Sequence, residues 1–188
     1  YIALDLGQPM HVYDASQIEG KLHVRQGSDQ NFIGLHDKEI LLTSQDIVIT
    51  DDIEPLALAG IMGSKESGVS ESTHHIILEA AVFDPIAIAL SGQYHNITSE
   101  SRTRFERGVD PEMTKLAMER AVAFVLEHCG GHVVATFAHE TPVIKQPITF
   151  DASCFDGCYV TGDITPQFLQ GLAVARDESR GEVVGADQ

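Results

Sequence analysis

The pattern of hydrophobic and polar positions predicts strands in the first part of the chain. From Lys21 to Ile53, short alternating or compact apolar runs are separated by polar turn residues, which is typical of strands joined by tight turns. The segment from His75 to Val82 is another compact apolar run of strand length, interrupted by one acid, Glu79. This part of the chain is therefore predicted to be rich in β-structure.

Two helices are predicted further along. Asp84 and Pro85 offer an N-cap and a first-turn proline to an apolar segment that continues to Leu90. The second helix is predicted to start at the Asp-Pro-Glu sequence of residues 110–112 and to stop at the glycine pair 130–131. Its apolar face, at three- and four-residue spacing, consists of Ala117, Ala121, Phe124, Val125 and His128.

The composition changes after Thr141. Pro142, Pro147 and an extended apolar stretch lead into a less periodic tail. We therefore predict one domain over residues 1–141 and a linker with a partial second segment over residues 142–188. The chain begins at Tyr1 without a methionine and ends abruptly, so we expect it to be a piece of a longer protein.

The stretch from Leu56 to Ser70 is an apolar run that ends in three glycines and small polar residues. A phosphate-binding loop would need a lysine after the second glycine, but Val69 and Ser70 follow Gly68. A dinucleotide-binding fingerprint would need glycines at a different spacing. The motif is thus neither of these phosphate cradles.

Charge and cysteine content narrow the class of protein. With 28 acidic and 12 basic side chains, the net charge is −16, a poor match for a surface that neutralises many phosphates. If nucleic acid is a partner, we expect only a short end of it to enter. Three cysteines, the lack of a signal-peptide pattern and the lack of an apolar run of ~20 residues favour a reduced, cytoplasmic setting without a membrane partner.

A metal site is considered for His128, Cys129 and His132, with Cys154 and Cys158 further along the chain. A zinc ribbon or finger needs pairs of cysteines two to four residues apart that are answered by another pair. The three cysteines do not form two such pairs, so we predict a structural role at a helix end and no metal site.

Glu79 is the most informative polar position. An unpaired carboxylate in a buried strand loses its hydration, which costs free energy. Glu79 must therefore meet a partner, face solvent or line a polar pocket. The charges of Arg104, Glu106 and Arg107, by contrast, surround Phe105 and are interpreted as an ion-pair network that ties a loop to the following helix.

Four motifs, taken together, resemble a known family. They are LGQPMHVYD (Leu6 to Asp14), LALAGIMGSKESGV (Leu56 to Val69), LEAAVFDP (Leu78 to Pro85) and RFERGVDPE (Arg104 to Glu112). In this order and at about these intervals they resemble the B3/B4 region of the β subunit of bacterial phenylalanyl-tRNA synthetase. The tail from Ile148 resembles the opening of the adjoining B5 domain, of which it keeps only a remnant.

The resemblance implies a fold and a function. The fold would be α+β, with a mixed or antiparallel sheet or a barrel-like core and helices packed outside. Residues 1–141 would be a tRNA-editing domain that hydrolyses mischarged Tyr-tRNA(Phe), as part of phenylalanine–tRNA ligase but without its synthetic site. The implied partners are the 3′ aminoacyl end of tRNA(Phe) and the synthetase α subunit, in an α2β2 heterotetramer. ATP and Mg²⁺ would serve the whole enzyme, and this fragment would hold no cofactor.

The resemblance also assigns roles to five residues. Glu79 matches an acid that recognises the para-hydroxyl of tyrosine, and Gly63 matches a glycine of the pocket wall, which a loop of glycines would line with backbone amides. His11 corresponds to a histidine near the scissile ester. Ser99 falls where the family has Thr or Ser, and Ser101 where a small residue, usually alanine, keeps the pocket open.

Three positions depart from the family pattern. Ser101 adds a hydroxyl, and Arg102 and Thr103 replace what is more often a serine and an aromatic residue. These changes leave the size of the pocket plausible and its fine specificity open.

The residue inventory agrees with hydrolysis of an ester that is already activated. No Ser-His-Asp or Cys-His arrangement is evident from the sequence, so a covalent route would lack its parts. Positioning a water molecule, with help from the adjacent ribose hydroxyl, would suffice, and His11 would orient that water or the ester. Two alternatives remain: a non-catalytic structural domain of the β subunit, and a free-standing protein, which the missing start and abrupt end disfavour.

Overall fold

The computed structural model describes residues 1–139 and three short strands within the last 40 residues. The chain separates into two compact units, Tyr1–Phe137 and Ala138–Gln188. The predicted division after residue 141 stays a prediction. Most of the predicted B5-like segment, with Cys154 and Cys158, lies outside the described residues.

The first unit contains four α-helices and eight strands. The helices are α1 (Ile2–Leu6), α2 (Pro85–Tyr94), α3 (Glu100–Phe105) and α4 (Met113–Cys129). The strands are β1 (Met10–Asp14), β2 (His23–Gln26), β3 (Asn31–Gly34), β4 (Lys38–Leu41), β5 (Ile47–Thr50), β6 (Pro55–Leu58), β7 (Met62–Gly63) and β8 (Ile76–Ala80). In the second unit, β9 (Thr149–Asp151), β10 (Val174–Asp177) and β11 (Glu182–Gly185) form a sheet in the order β10-β11-β9.

The strands of the first unit form three sheets. One has four strands in the order β2-β5-β6-β7, and the other two are the pairs β1-β8 and β3-β4. Every pairing between described strands is antiparallel. The α+β class is confirmed, and among the described strands no sheet closes into a barrel.

The hydrophobic core is built around β6. All four residues of this strand are buried, because it is flanked by β5 and β7 within its sheet. Side chains from most elements of the unit join it. The buried cluster consists of Tyr13, Phe32, Ile40, Leu42, Val48, Ile49, Leu56, Ala57, Leu58, Ala59, Ile61, Phe83, Ile88, Ile97 and Phe105.

The predicted start of α2 is confirmed. The side chain of Asp84 accepts a hydrogen bond from the backbone N–H of Ala87 at 2.8 Å, and Pro85 occupies the first turn. This cap fixes the direction in which the chain leaves β8 and passes Phe83, which is buried in the core.

The helix α4 begins at Met113, directly after the predicted start sequence of residues 110–112, and its N-cap is Glu112. Asp110 instead closes a turn, because its side chain accepts from the backbone N–H of Glu112 at 3.0 Å. The predicted stop is confirmed, since α4 ends at Cys129 and Gly130 follows it with a positive φ of 72°, a backbone conformation that glycine adopts readily.

The predicted apolar face of α4 is only partly buried. Ala117 and Ala121 are buried, whereas Phe124 is 41% exposed. The ring of Phe124 stacks on Tyr1 and on His128, and a ring nitrogen of His128 lies 2.8 Å from the carbonyl oxygen of Phe124. His128 thus packs on its own helix, in agreement with the structural role predicted for it.

The segment predicted to be a charged loop is the helix α3. Its ion pairs join residues four apart within the segment: Arg104 with Glu100 at 2.7 Å, and Arg102 with Glu106 at 3.0 Å. The prediction that these charges tie a loop to the following helix was therefore wrong. Charged residues at this spacing lie on one helix face, where opposite charges stabilise the helix itself.

A buried cluster of Asp46, Ser91 and His95 was not found from the sequence. Ser91 donates to Asp46 Oδ1 at 2.5 Å, and His95 Nε2 lies 2.9 Å from Asp46 Oδ2, which also accepts from Thr43. Burial opposes ionisation of Asp46, but these hydrogen bonds outweigh it and lower its pKa. Serine and histidine both bind the carboxylate rather than each other, so the cluster is no catalytic triad; it fastens α2 to the segment before β5.

Candidate active site

A cavity of about 300 Å³ lies between β1, β8, the β6–β7 hairpin and α3. The structure brings all five predicted site residues to its wall: His11, Gly63, Glu79, Ser99 and Ser101. Most of the remaining lining is apolar or aromatic, including Phe83 and Phe105. An apolar cavity with a few polar groups is the usual form of a small-molecule site.

A second concavity, of about 430 Å³, lies on another side of α3. It is lined by Gly7, Glu100, Thr103, Arg104, Arg107 and Gly108. It lacks apolar side chains that could pack on an aromatic ring, and none of the five predicted residues reaches it. The smaller cavity is therefore the candidate active site.

The β1–β8 pair sets the polar end of the cavity. His11 lies directly opposite Glu79 in the antiparallel register. Residues opposite each other in such a pair point to the same face, and so does Tyr13, two residues after His11. The rings of His11 and Tyr13 meet edge to face with their centroids 4.4 Å apart.

Glu79 has one partner in this cavity. Tyr13 donates a hydrogen bond from its hydroxyl to Glu79 Oε2 at 2.5 Å. Burial raises the pKa of Glu79, and the hydrogen bond from Tyr13 opposes that rise. Among the described residues, no group donates to Oε1. The carboxyl group therefore keeps a free acceptor in an otherwise apolar space.

His11 packs directly on Gly63. A Cβ atom at position 63 would lie 2.3 Å from His11 Cε1 and 2.7 Å from His11 Nε2, so only glycine allows this approach. His11 Nε2 is buried and has no hydrogen-bond partner among the described residues. Burial also lowers the pKa of His11, which favours the neutral ring at pH 7, in which one nitrogen donates a hydrogen bond and the other accepts one.

The two serines differ in what their hydroxyls do. Ser99 caps α3 by accepting from the backbone N–H of Arg102 at 3.0 Å, and it donates to the carbonyl oxygen of Ile61 at 2.8 Å. Its hydroxyl is thus used to hold α3 against the β6–β7 hairpin. Ser101, two residues later, also lines the cavity, and its hydroxyl has no hydrogen-bond partner among the described residues.

Comparison with known proteins identifies the family that this arrangement comes from. The family model for the B3/4 domain matches residues 1–130, which include the whole cavity. The chain belongs to the B3/4 domain family. The resemblance seen in the four sequence motifs is therefore confirmed.

Curated relatives of this B3/4 chain are named phenylalanine–tRNA ligase beta subunit. The chain is 45% identical over 193 residues to the protein from Legionella pneumophila, covering 98% of this chain and 22% of the relative. It is 43% identical over 196 residues to the protein from Shewanella oneidensis, covering 99% and 24%. It is 44% identical over 132 residues to the protein from Nitrosococcus oceani, covering 70% and 17%. The chain spans about a fifth of the length of these relatives.

The glycine-rich stretch of the B3/4 domain is a hairpin rather than a loop of glycines. Gly60 makes the turn with a φ of 67°, and Gly63 lies in β7, paired with Ala57. The backbone N–H groups of Ile61 and Ser64 donate to carbonyl groups of β6. The prediction of a pocket wall offering backbone amides is therefore wrong for these two positions. The absence of a side chain at Gly63 serves the approach of His11 instead.

Tyr13 is the cavity residue that sequence reasoning missed. It is completely buried, and its hydroxyl is the one partner of Glu79 among the described residues. A strand was not predicted at this segment; had it been, the two-residue spacing of His11 and Tyr13 would have placed both side chains on one face. The contact with Glu79 depends on the pairing of β1 with β8, 66 positions apart, which the sequence does not reveal.

Two further findings concern the described part of this B3/4 domain. Within residues 1–139 and the three later strands, no group of three or more His, Cys, Asp or Glu side chains could hold a metal ion. His132 and Cys129 are exposed, and Cys129 is a free thiol. No helix in the same residues is long and apolar enough to cross a membrane.

Replacing Gly63 with alanine is expected to destabilise the B3/4 domain by about 1–3 kcal/mol, the usual cost of overpacking. The new methyl group would meet the His11 ring, which must move. Urea unfolding of the chain measures the effect. In a His11→Ala background the same change should cost much less, because the clashing ring is gone. Equal costs in the two backgrounds would contradict the proposed contact.

Proposed function

We propose that this chain is the editing module of a phenylalanyl-tRNA synthetase β subunit, and that its cavity hydrolyses the aminoacyl ester of mischarged Tyr-tRNA(Phe). One observation carries the proposal: the free carboxylate oxygen of Glu79 at the end of an apolar cavity. The names of the curated relatives support a role in this synthetase.

The cavity suits a single aromatic amino acid. Its volume of about 300 Å³ is at the lower limit for ligand pockets, ~300–1,000 Å³, so an aromatic side chain fits and the body of a tRNA does not. Phe83 and Phe105, themselves packed edge to face, offer an aromatic wall. A net charge of −16 likewise favours a chain that receives only the 3′ aminoacyl end, while other parts of the enzyme hold the tRNA.

Discrimination between tyrosine and phenylalanine rests on Glu79. A phenol can donate a hydrogen bond to the free Oε1, and such charge-assisted bonds are worth about 1.5–3 kcal/mol. The phenylalanyl ester has no such donor, so it would desolvate the carboxylate without compensation. The correct product is therefore spared.

The hydrolysis needs little chemical assistance from the protein. Water adds to the ester carbonyl, the ribose oxygen leaves with a proton, and tyrosine and free tRNA(Phe) result. Neutral His11 accepts a hydrogen bond from that water or donates one to the ester, and the ribose hydroxyl beside the ester assists. Positioning of the reactants supplies the acceleration.

The complete enzyme contributes what this chain lacks. We place the module in the cytoplasm, in a complex with the synthetase α subunit and tRNA(Phe). ATP and Mg²⁺ serve the synthetic site outside this chain, and we assign none of the residues described here to them.

Deacylation of preformed Tyr-tRNA(Phe) by the complete synthetase, without ATP so that recharging cannot occur, tests the proposal. We expect hydrolysis well above the spontaneous rate, and slower hydrolysis of Phe-tRNA(Phe). If the enzyme aminoacylates normally but hydrolyses Tyr-tRNA(Phe) only at the spontaneous rate, the chain is a structural domain of the β subunit instead.

A further inference from the structure

We propose that Tyr13 is a positioning residue of this site: its hydroxyl holds Oε2 of Glu79, so that only Oε1 is offered to the phenol of the tyrosyl ester. The inference rests on the proposed function. It adds the phenol of Tyr13 to the groups that take part in recognising the phenol of the substrate. Tyr13 does not touch the reacting ester; it acts through Glu79.

The backbone fixes Tyr13 on both sides. Its strand pairs with β8, where Tyr13 lies opposite Ile77, and a further antiparallel bridge joins Tyr13 to Gly68. The side chain is completely buried, and its ring rests edge to face on His11. The position of the hydroxyl is therefore set by the fold before any substrate enters.

The hydroxyl reaches Glu79 diagonally across the β1–β8 pair. Glu79 lies opposite His11, two positions away from the partner of Tyr13. Diagonal neighbours in an antiparallel pair are within reach of long side chains. The resulting bond, from Tyr13 Oη to Glu79 Oε2, is 2.5 Å long, at the short end of the usual range for a hydroxyl that donates to a carboxylate.

Two consequences follow for Glu79. The first is orientation: with Oε2 held, the carboxyl group cannot rotate freely, and a substrate phenol has to approach Oε1. The second is charge. Burial disfavours the ionised carboxylate, and the hydrogen bond from Tyr13 favours it. Tyr13 itself stays protonated, because burial and the neighbouring Glu79 raise its pKa.

Few titratable side chains lie near Glu79. The titratable side chains that line the cavity are His11, Tyr13 and Glu79. The β6–β7 hairpin and α3 contribute no titratable group to that lining. The helix α4 packs against β8, and its charged side chains are exposed to solvent; they are Lys115, Glu119, Arg120 and Glu127. Within these surroundings, removal of the Tyr13 hydroxyl raises the pKa of Glu79.

The test is the pH dependence of deacylation by the complete synthetase carrying Tyr13→Phe. We expect kcat/KM for Tyr-tRNA(Phe) to fall about three- to tenfold at pH 7, the typical value of one lost hydrogen bond. The acid limb of the pH profile should move to higher pH, because Glu79 then ionises later, and part of the activity should return as the pH rises. Spontaneous hydrolysis is subtracted at each pH.

Tyr94→Phe is the matched control. Tyr94 is 71% exposed on α2 and lies outside the cavity lining, so this change should leave both the rate and the acid limb unaltered. In a Glu79→Gln background, Tyr13→Phe should no longer move the limb. An acid limb at the wild-type position in Tyr13→Phe would overturn the proposal while leaving the editing function intact, whereas a wild-type enzyme without hydrolysis would remove the editing function itself.

A second variant covers the case in which Tyr13→Phe does not fold, as judged by loss of aminoacylation. A 3-fluorotyrosine at position 13 keeps the size of the ring and donates a stronger hydrogen bond. It should move the acid limb to lower pH. An unchanged limb in this variant would overturn the positioning role.

Discussion

Replacing Ser101 with tryptophan is expected to lower hydrolysis of Tyr-tRNA(Phe) by the complete synthetase at least ~100-fold, since misplacement of a reactant by 1 Å can already cost that much. Ser101 lines a cavity of about 300 Å³, and an indole ring would occupy the space that we propose for the substrate side chain. Aminoacylation should be unchanged, because the synthetic site lies outside this chain in the proposed assembly. Single-turnover deacylation in parallel with aminoacylation measures both.

The control for this change is Glu100→Trp, on the same helix. The Glu100 side chain is 89% exposed and does not line the cavity, and its surface ion pair with Arg104 contributes little stability. This variant should hydrolyse Tyr-tRNA(Phe) at the wild-type rate. Wild-type hydrolysis in Ser101→Trp itself would show that the substrate does not enter beside α3.

Replacing Glu79 with alanine is expected to cut Tyr-tRNA(Phe) hydrolysis at least ~10-fold, the loss of one charge-assisted hydrogen bond. A synthetic pocket built for phenylalanine rejects an analogue that merely adds a hydroxyl by only ~10²-fold, so a second site is useful only if it reads that hydroxyl. The preference for Tyr-tRNA(Phe) over Phe-tRNA(Phe) should therefore narrow along with the rate.

Two further variants separate recognition from structural damage. Glu79→Gln keeps an acceptor for the Tyr13 hydroxyl, so it should fold normally and still lose part of the preference. Glu71→Ala removes an exposed acid outside the cavity lining and should leave the hydrolysis rates of both Tyr-tRNA(Phe) and Phe-tRNA(Phe) unchanged. If Glu79→Ala retains the wild-type ratio of the two hydrolysis rates, Glu79 is a structural acid that serves to hold Tyr13.

The local features of this fold could be predicted because they depend on neighbouring residues. The cap at Asp84, the stop at Gly130 and the strand around Glu79 all follow from short patterns. The helix α3 could not be predicted in this way. Its six residues are too few to show a helical period, and its charged residues are equally compatible with a loop.

The site itself depends on pairings between distant segments. That Glu79 needs a partner follows from the cost of burying a carboxylate, but the identity of Tyr13 as that partner depends on the β1–β8 register. Gly63 was placed in the pocket wall through the family resemblance, and its close contact with His11 emerges only from the structure. The cluster around Asp46 was not predicted for the same reason, since Ser91 and His95 lie 45 and 49 positions from Asp46 in the chain.

The most direct test of the central claim is a structure of the complete synthetase with a non-hydrolysable analogue of Tyr-tRNA(Phe). We predict the tyrosyl ring in the cavity between β1, β8 and α3, with its phenol oxygen about 2.5–3.0 Å from Glu79 Oε1, the range of a hydroxyl hydrogen bond, and with Tyr13 still bound to Oε2. A tyrosyl group bound elsewhere, with this cavity empty, would contradict the account.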